Sequence, residues 1–138
     1  MENNSIFVEK LRSSGLRPTQ QRIEICKLLF DREKTFHFTI NDIFKILQKG
    51  TSKKISLATI YNTVHSFKKK GYLKEISVNK DKSYFDTNTT DHHHFLDINT
   101  NEIIDLKKEY VDKIRIKKNL PGKKINSIEV LVKVENSN

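Results

Sequence analysis

Residues 56–71, SLATIYNTVHSFKKKG, decide how the rest of the chain is read. Ser56 is a good N-cap, and Leu57, Ile60, Val64 and Phe67 recur at helical intervals, which lays one apolar stripe toward a core. At about 100° per residue the opposite face carries Ala58, Thr59, Asn62, His65, Ser66 and Lys69, with Tyr61 on its flank. That face is small, polar and basic.

The elements on either side give this helix a setting. Upstream, Thr39 with Asp42 three residues on is capping-box-like, and Ile40, Ile43, Phe44 and Leu47 predict a helix ending at Gly50. A basic connection, 51–55, joins the two helices as a helix-turn-helix with a longer turn than the tightest versions. Earlier still, Phe7, Val8 and Leu11 predict a helix over 3–14 that stops at Gly15, and Thr19 caps another with Ile23, Cys26, Leu29 and Phe30 as its stripe. After Gly71, YLKEISV and KSYFDTN flank Asn79, Lys80 and Asp81 as a β-hairpin. Helices followed by such a hairpin predict a winged helix.

A second module begins near Asp91. Strands over 94–98 and 102–106 surround Asn99, Thr100 and Asn101, and Leu106, Tyr110 and Ile114 predict an amphipathic helix ending near Pro121 and Gly122. Ile128, Val130, Val132 and Val134 then alternate as a strand. Three strands and one helix bury too little to stand alone, so pairing with a second copy is expected. The fold class is therefore α+β: an N-terminal winged helix-turn-helix over 1–88, followed by a small αβ dimerisation domain over 89–138.

Charge follows the same division. The net charge is +9 over 138 residues, and by direct count residues 1–90 hold 17 Lys/Arg against 9 Asp/Glu, while 91–138 hold 9 against 8. The excess lies in the module with the polar helix face, as expected of a polyanion-binding unit. Small residues at a helix N-terminus admit the backbone to a major groove, and polar ones reach base edges. Ser56, Ala58, Thr59, Tyr61 and Asn62 meet those needs. Lys53, Lys54, Lys68, Lys69, Lys80 and Lys82 would contact phosphates, and Arg17 would enter a neighbouring minor groove. No stretch approaches the ~20 apolar residues of a membrane span, and the first residues lack a secretory profile, so a cytoplasmic protein is expected.

Residues 84–98, YFDTNTTDHHHFLDI, carry a different chemistry. In extended backbone His92 and His94 share one face while His93 takes the other. Two imidazoles on one face can chelate an ion, and Asp86 can add an oxygen if the intervening segment bends back. A nitrogen and oxygen shell suits Fe(II), Mn(II), Zn(II) or a haem iron. An isolated histidine is usually just a polar surface residue; a triplet beside Asp91 and Asp97 argues for a ligand. Cys26 is the single cysteine, so a four-cysteine zinc site within the chain is excluded, and its helical spacing from Ile23 and Phe30 predicts a buried, inert thiol. Two histidines and a carboxylate also resemble the facial triad of Fe(II) oxygenases, but this chain has no room for the larger scaffold and cavity of such enzymes. It has neither a P-loop nor a GxSxG motif. A metal-independent winged-helix protein or an RNA binder with incidental histidines is the third reading.

GLRPTQQR, SLATIYNTVHSF and KSYFDTNTTDHHHF, in this order and spacing, resemble the ferric uptake regulator superfamily. Within it the chain looks most like the iron response regulators of alphaproteobacteria. The resemblance covers about Leu11 to Val134. It implies a homodimeric transcription factor that binds a palindromic double-stranded DNA operator and controls iron and haem genes in response to metal or haem. It also implies a regulatory metal site at His37, Asp86, His92 and His94, although His37 in KTFHFT reads from its own context as a loop residue. A second site, for metal or haem, would fall on Asp91, His93 and Asp112, with Ser127 in place of the usual histidine. The cysteines that many relatives use for zinc correspond to Asp97 and Thr100, and the cysteine-proline haem motif is absent. Peroxide sensing through metal-catalysed histidine oxidation is the near alternative within the superfamily.

Overall fold

The computed structural model describes residues 4–50 and 54–138, and divides into two compact units, one ending at Thr89 and the other beginning at Thr90. In the first unit, the helices are α1 (Ser5–Ser13), α2 (Gln20–Phe30), α3 (Ile40–Gly50) and α4 (Leu57–Lys70). Their starts are written in side-chain hydrogen bonds. Thr19 Oγ1 accepts from Arg22 N at 3.3 Å, and Ser56 Oγ accepts from Thr59 N at 3.1 Å. Thr39 and Asp42 close a reciprocal box: Asp42 N donates to Thr39 Oγ1 at 3.1 Å and Thr39 N donates to Asp42 Oδ2 at 2.9 Å. The turn after α4 is set by Gly71, whose φ of 93° lies in the left-handed region that side chains with a Cβ resist.

The helices bury Leu11, Ile25, Leu29, Ile43, Ile60, Val64 and Phe67 in one core, each such burial worth about 1.5–3 kcal/mol. Leu57 departs from the expected stripe. It is 46% exposed, and Thr63 takes the buried place instead, its hydroxyl donating to Thr59 O at 2.7 Å. Leu57 is the first residue of α4, and the stripe reaches the core only from Ile60, about one turn further on.

The expected wing is present as β2 (Lys74–Asn79) and β3 (Lys82–Asp86), paired antiparallel. A two-residue strand, β1 (His37–Phe38), adds to the other edge of β3 in the order β1-β3-β2. Its register sets His37 opposite Asp86 and Phe38 opposite Phe85. The residue that read as a loop histidine is thus part of a sheet.

In the second unit β4 (His93–Asp97) is the central strand, with β5 (Glu102–Leu106) antiparallel on one side and β6 (Leu131–Val134) parallel on the other. The helix expected from Leu106 to Pro121 does not form. A 3₁₀ turn at Lys108–Tyr110 is followed by irregular chain with neither helix nor strand before Leu131. The physical reasons are in the sequence: β-branched Val111, Ile114 and Ile116, and like charges at Lys113 and Lys117 one turn apart, weaken a helix that apolar spacing alone suggests. Tyr110, Leu120 and Ile125 are 74, 71 and 47% exposed, an apolar surface that a lone copy leaves in water. Among the described residues, no helix is long and apolar enough to cross a membrane.

Candidate metal centre

Two sets of ligand-type side chains stand out, one in each unit. In the first unit the β1–β3 register faces His37 with Asp86, and the carboxylate Oδ2 accepts from His37 Nε2 at 3.1 Å. Asp86 is wholly buried and its Oδ1 accepts from Asn88 N at 2.8 Å. A buried carboxylate is costly unless charge or hydrogen bonds answer it, so this one is held for a purpose or by strong partners.

In the second unit His92 and His94 share one face of the β4 region, rings 4.4 Å apart, as alternation requires. Both point their Nε2 at Asp105 Oδ1, at 3.1 Å from His92 and 3.6 Å from His94. All three ligand atoms lie within 4.8 Å of one another. The tautomer of His92 gives the set its meaning. Thr90 O lies 2.7 Å from His92 Nδ1, and a carbonyl only accepts, so Nδ1 carries the proton. In a neutral ring, Nε2 then presents a lone pair to a carboxylate oxygen. Two acceptors at 3.1 Å are reconciled by a cation between them, either a proton or a metal ion. The donor set fits a divalent ion: imidazole nitrogen and carboxylate oxygen, with no thiolate.

Asp105 was not among the residues singled out from sequence. The signal was present, because β4 and β5 pair with His94 opposite Asp105. A hairpin centred symmetrically on Thr100 sets His94 opposite Leu106, one residue out of register, and that shift hides the aspartate.

His93 has another role. Val130 N donates to its Nδ1 at 3.1 Å, which fixes Nδ1 as acceptor and leaves the hydrogen on Nε2 in the neutral ring. The imidazole thereby pins the approach to β6. Asp91 pairs with Lys108 at 3.5 Å, while Asp112 and Ser127 are exposed. Among the described residues, no cluster of ligand atoms joins Asp91, His93 and Asp112.

The face of α4 expected to meet nucleic acid is open: Ala58, Tyr61, Asn62 and Lys69 are exposed and Thr59 is half-buried. Ser56 is exposed at the cap, its hydroxyl 2.9 Å from that of Thr59. Arg17, Lys54 and Lys80 are exposed, and the half-buried Lys82 reaches over the Tyr84 ring at 5.2 Å. Lys53 lies outside the described residues. Burial pushes the Cys26 thiol up to about 12, against a smaller opposing pull from Lys10, and the thiol stays inert.

The Ferric uptake regulator family model matches residues 13–133. The chain is 34% identical over 107 residues to the peroxide operon regulator of Bacillus subtilis (strain 168), covering 78% of this chain and 72% of that protein. The peroxide-responsive repressor PerR of Staphylococcus aureus (strain Mu50 / ATCC 700699) is 33% identical over 107 residues, covering 78% of this chain and 70% of the repressor. Among solved structures, the Vibrio cholerae ferric uptake regulator aligns with TM-score 0.69 and 18% identity over 94% of this chain and 98% of that one. The Pseudomonas aeruginosa regulator with manganese aligns with TM-score 0.66 and 21% identity over 96% and 99%. Proteins of this kind are dimeric DNA-binding regulators rather than enzymes, and the α+β architecture described above is theirs. A wing, a helix with an open polar face and a nitrogen and oxygen donor set lie within the matched residues, and this chain belongs to the ferric uptake regulator family of metal-dependent transcription regulators.

Proposed function

We propose that this regulator reads cellular Fe(II) or Mn(II) through one ion held jointly by His37 and Asp86 of the first unit and His92, His94 and Asp105 of the second. The observation that carries the reading is the pair of facing acceptors at His92 Nε2 and Asp105 Oδ1, 3.1 Å apart, which calls for a cation. Neither half-set offers the four to six donors that Fe(II) or Mn(II) usually takes, and together they supply three nitrogens and two carboxylates. The connection permits this, since six residue steps from Asp86 to His92 limit the separation of the two half-sets to at most roughly 20 Å along the chain. Two anionic carboxylates against a divalent cation also leave the site neutral.

When bound, the ion supplies a fixed positive charge that ties the two units. The protein does the rest. A fixed angle between units sets the separation of the two α4 helices in a homodimer, which must match half-sites of a palindromic operator about one helical turn apart. Ala58, Thr59, Tyr61 and Asn62 read the groove, and Arg17, Lys53, Lys54, Lys69, Lys80 and Lys82 hold phosphates. The exposed Tyr110, Leu120 and Ile125 support pairing with a second copy, and a DNA-binding regulator works in the cytoplasm.

Within this reading peroxide sensing is favoured over haem sensing. The peroxide regulators are 33–34% identical to this chain, and His93, the spare imidazole, is spent on Val130 N. Iron held by these nitrogen and oxygen donors would supply the chemistry by which peroxide, itself the oxidant, adds oxygen to a ligating histidine. The test is enrichment of duplexes from a random-sequence pool with and without Mn(II), repeated with His92→Ala/His94→Ala. Selective retention only with metal, lost in the variant, is expected; equal retention in all arms overturns the proposal. Mass spectrometry after peroxide separates the signals: oxygen added to His37 or His92 with Fe(II) but not Mn(II) identifies peroxide, whereas haem-dependent release of DNA without oxidation identifies haem.

A further inference from the structure

In the first unit, the residues that form the His37–Asp86 pair also anchor a run of rings that ends on the DNA-reading face. Phe38 follows His37 on β1 and Phe85 precedes Asp86 on β3, and these two phenylalanines are register partners stacked at 5.7 Å. Phe85 is 2% exposed, and the ring of His65 meets it edge-on at 5.9 Å. His65 in turn lies against Tyr61 with ring centroids 4.1 Å apart, one helical turn away on α4. Tyr61 is 52% exposed, beside Asn62.

We infer that His65 is a positioning residue that carries the state of the His37–Asp86 pair to Tyr61, so that the orientation of a DNA-contacting ring depends on how β1 and β3 are held. The inference rests on the proposed metal reading and names its route inside the DNA-binding unit. Successive residues on a strand share a backbone, so a small turn of the peptide at Asp86 swings Phe85 on the opposite face. Close-packed rings pass such a displacement on, because no space lies between them to absorb it. His65 is the joint. It is the half-buried ring between a wholly packed phenylalanine and an exposed tyrosine, and α4 gives Tyr61 no other aromatic neighbour at i+4 or i−4, where Leu57 stands.

The experiment uses the full chain and a duplex enriched by the wild-type protein in Mn(II). Mn(II) affinity is measured by titration calorimetry with and without the duplex, and duplex affinity with and without Mn(II). Wild-type coupling is expected at roughly 5–150-fold, the same factor in both directions by linkage. His65→Leu keeps the volume and removes the ring; its coupling is expected to fall within about twofold of unity while Mn(II) affinity without DNA stays unchanged. His65→Phe restores the ring and the coupling. His65→Ala, with melting monitored in parallel, repeats the loss if the leucine variant packs poorly. Full coupling in His65→Leu and His65→Ala overturns the route, and so does a loss of duplex affinity equal with and without Mn(II). No coupling in the wild-type protein instead defeats the metal reading itself, which is how the two failures are told apart.

Discussion

Asp105→Asn should move stability in opposite directions with and without metal. With no metal ion bound and the His92 ring neutral, Asp105 Oδ1 faces the His92 Nε2 lone pair at 3.1 Å. An asparagine places an N–H there, turning a clash of acceptors into a hydrogen bond worth about 0.5–1.5 kcal/mol. With an ion, the variant loses an anionic donor. Removing even outer partners of a site costs about 10–100-fold in affinity, so roughly 100-fold is a modest expectation for a ligand. At a metal concentration 100 times the wild-type Kd, binding stabilises the wild-type protein by about 2.7 kcal/mol, and the variant, then near its own Kd, by about 0.4 kcal/mol. At ~2.1 cal/mol/K per residue, 138 residues give an unfolding entropy of about 0.29 kcal/mol/K. The expected metal-induced rise in Tm is then about 9 °C for the wild-type protein and about 1–2 °C for the variant, with the metal-free variant melting up to about 5 °C higher. Calorimetry with graded Mn(II) reads all of these. An equal metal-induced rise in both proteins, or a metal-free variant that melts lower, would refute the reasoning from facing acceptors.

Other expectations follow from single side chains. Replacing Lys69, Lys80 and Lys82 by glutamine should flatten the salt dependence of DNA binding by about 0.9 for each phosphate no longer neutralised, and an unchanged slope removes them from the interface. Cys26, its thiol raised to about 12 by burial, should resist alkylation at pH 8 until the protein unfolds, whereas rapid labelling of the native chain would contradict its burial. The Lys68 ammonium, and after it Ser83, hold the Glu75 carboxyl below its ordinary 4.5. Because the folded value is the lower one, this carboxylate contributes stability above pH 4.5 that is lost as pH falls through the folded value, so Glu75→Gln should flatten the acid limb of the urea midpoint. Identical acid limbs in both proteins would remove Glu75 from that balance.

Much of the first unit was legible because its helices announce themselves locally. Thr19, the Thr39/Asp42 pair, Ser56 and Gly71 each fix an end within four residues, and the stripe through Ile60, Val64 and Phe67 needs no distant partner. What escaped was non-local. His37 joins the sheet through a strand of two residues, too short for any alternation to show, and only the family likeness pointed to it. Asp105 was hidden by one residue of hairpin register. The apolar spacing of Leu106, Tyr110 and Ile114 suggests a helix, but β-branching and repelling lysines outweigh it, and only a 3₁₀ turn forms at Lys108–Tyr110. Leu57 shows the same limit on a smaller scale: periodicity gives a face, and only packing says where along the helix that face meets a core.

The parallel seat of β6 beside β4 has a consequence for the newly made chain. His94 pairs with Leu131, so the strand bearing His93 and His94 is flanked on both sides only after residues 131–134 have left the ribosome. Closing that loop of some three dozen residues costs about 3 kcal/mol of chain entropy, and nothing repays it while residues 131–134 are still in the exit tunnel. The first unit can fold before those residues emerge, whereas the second waits for them; under the proposed reading, a nascent polypeptide is deaf to its signal until then.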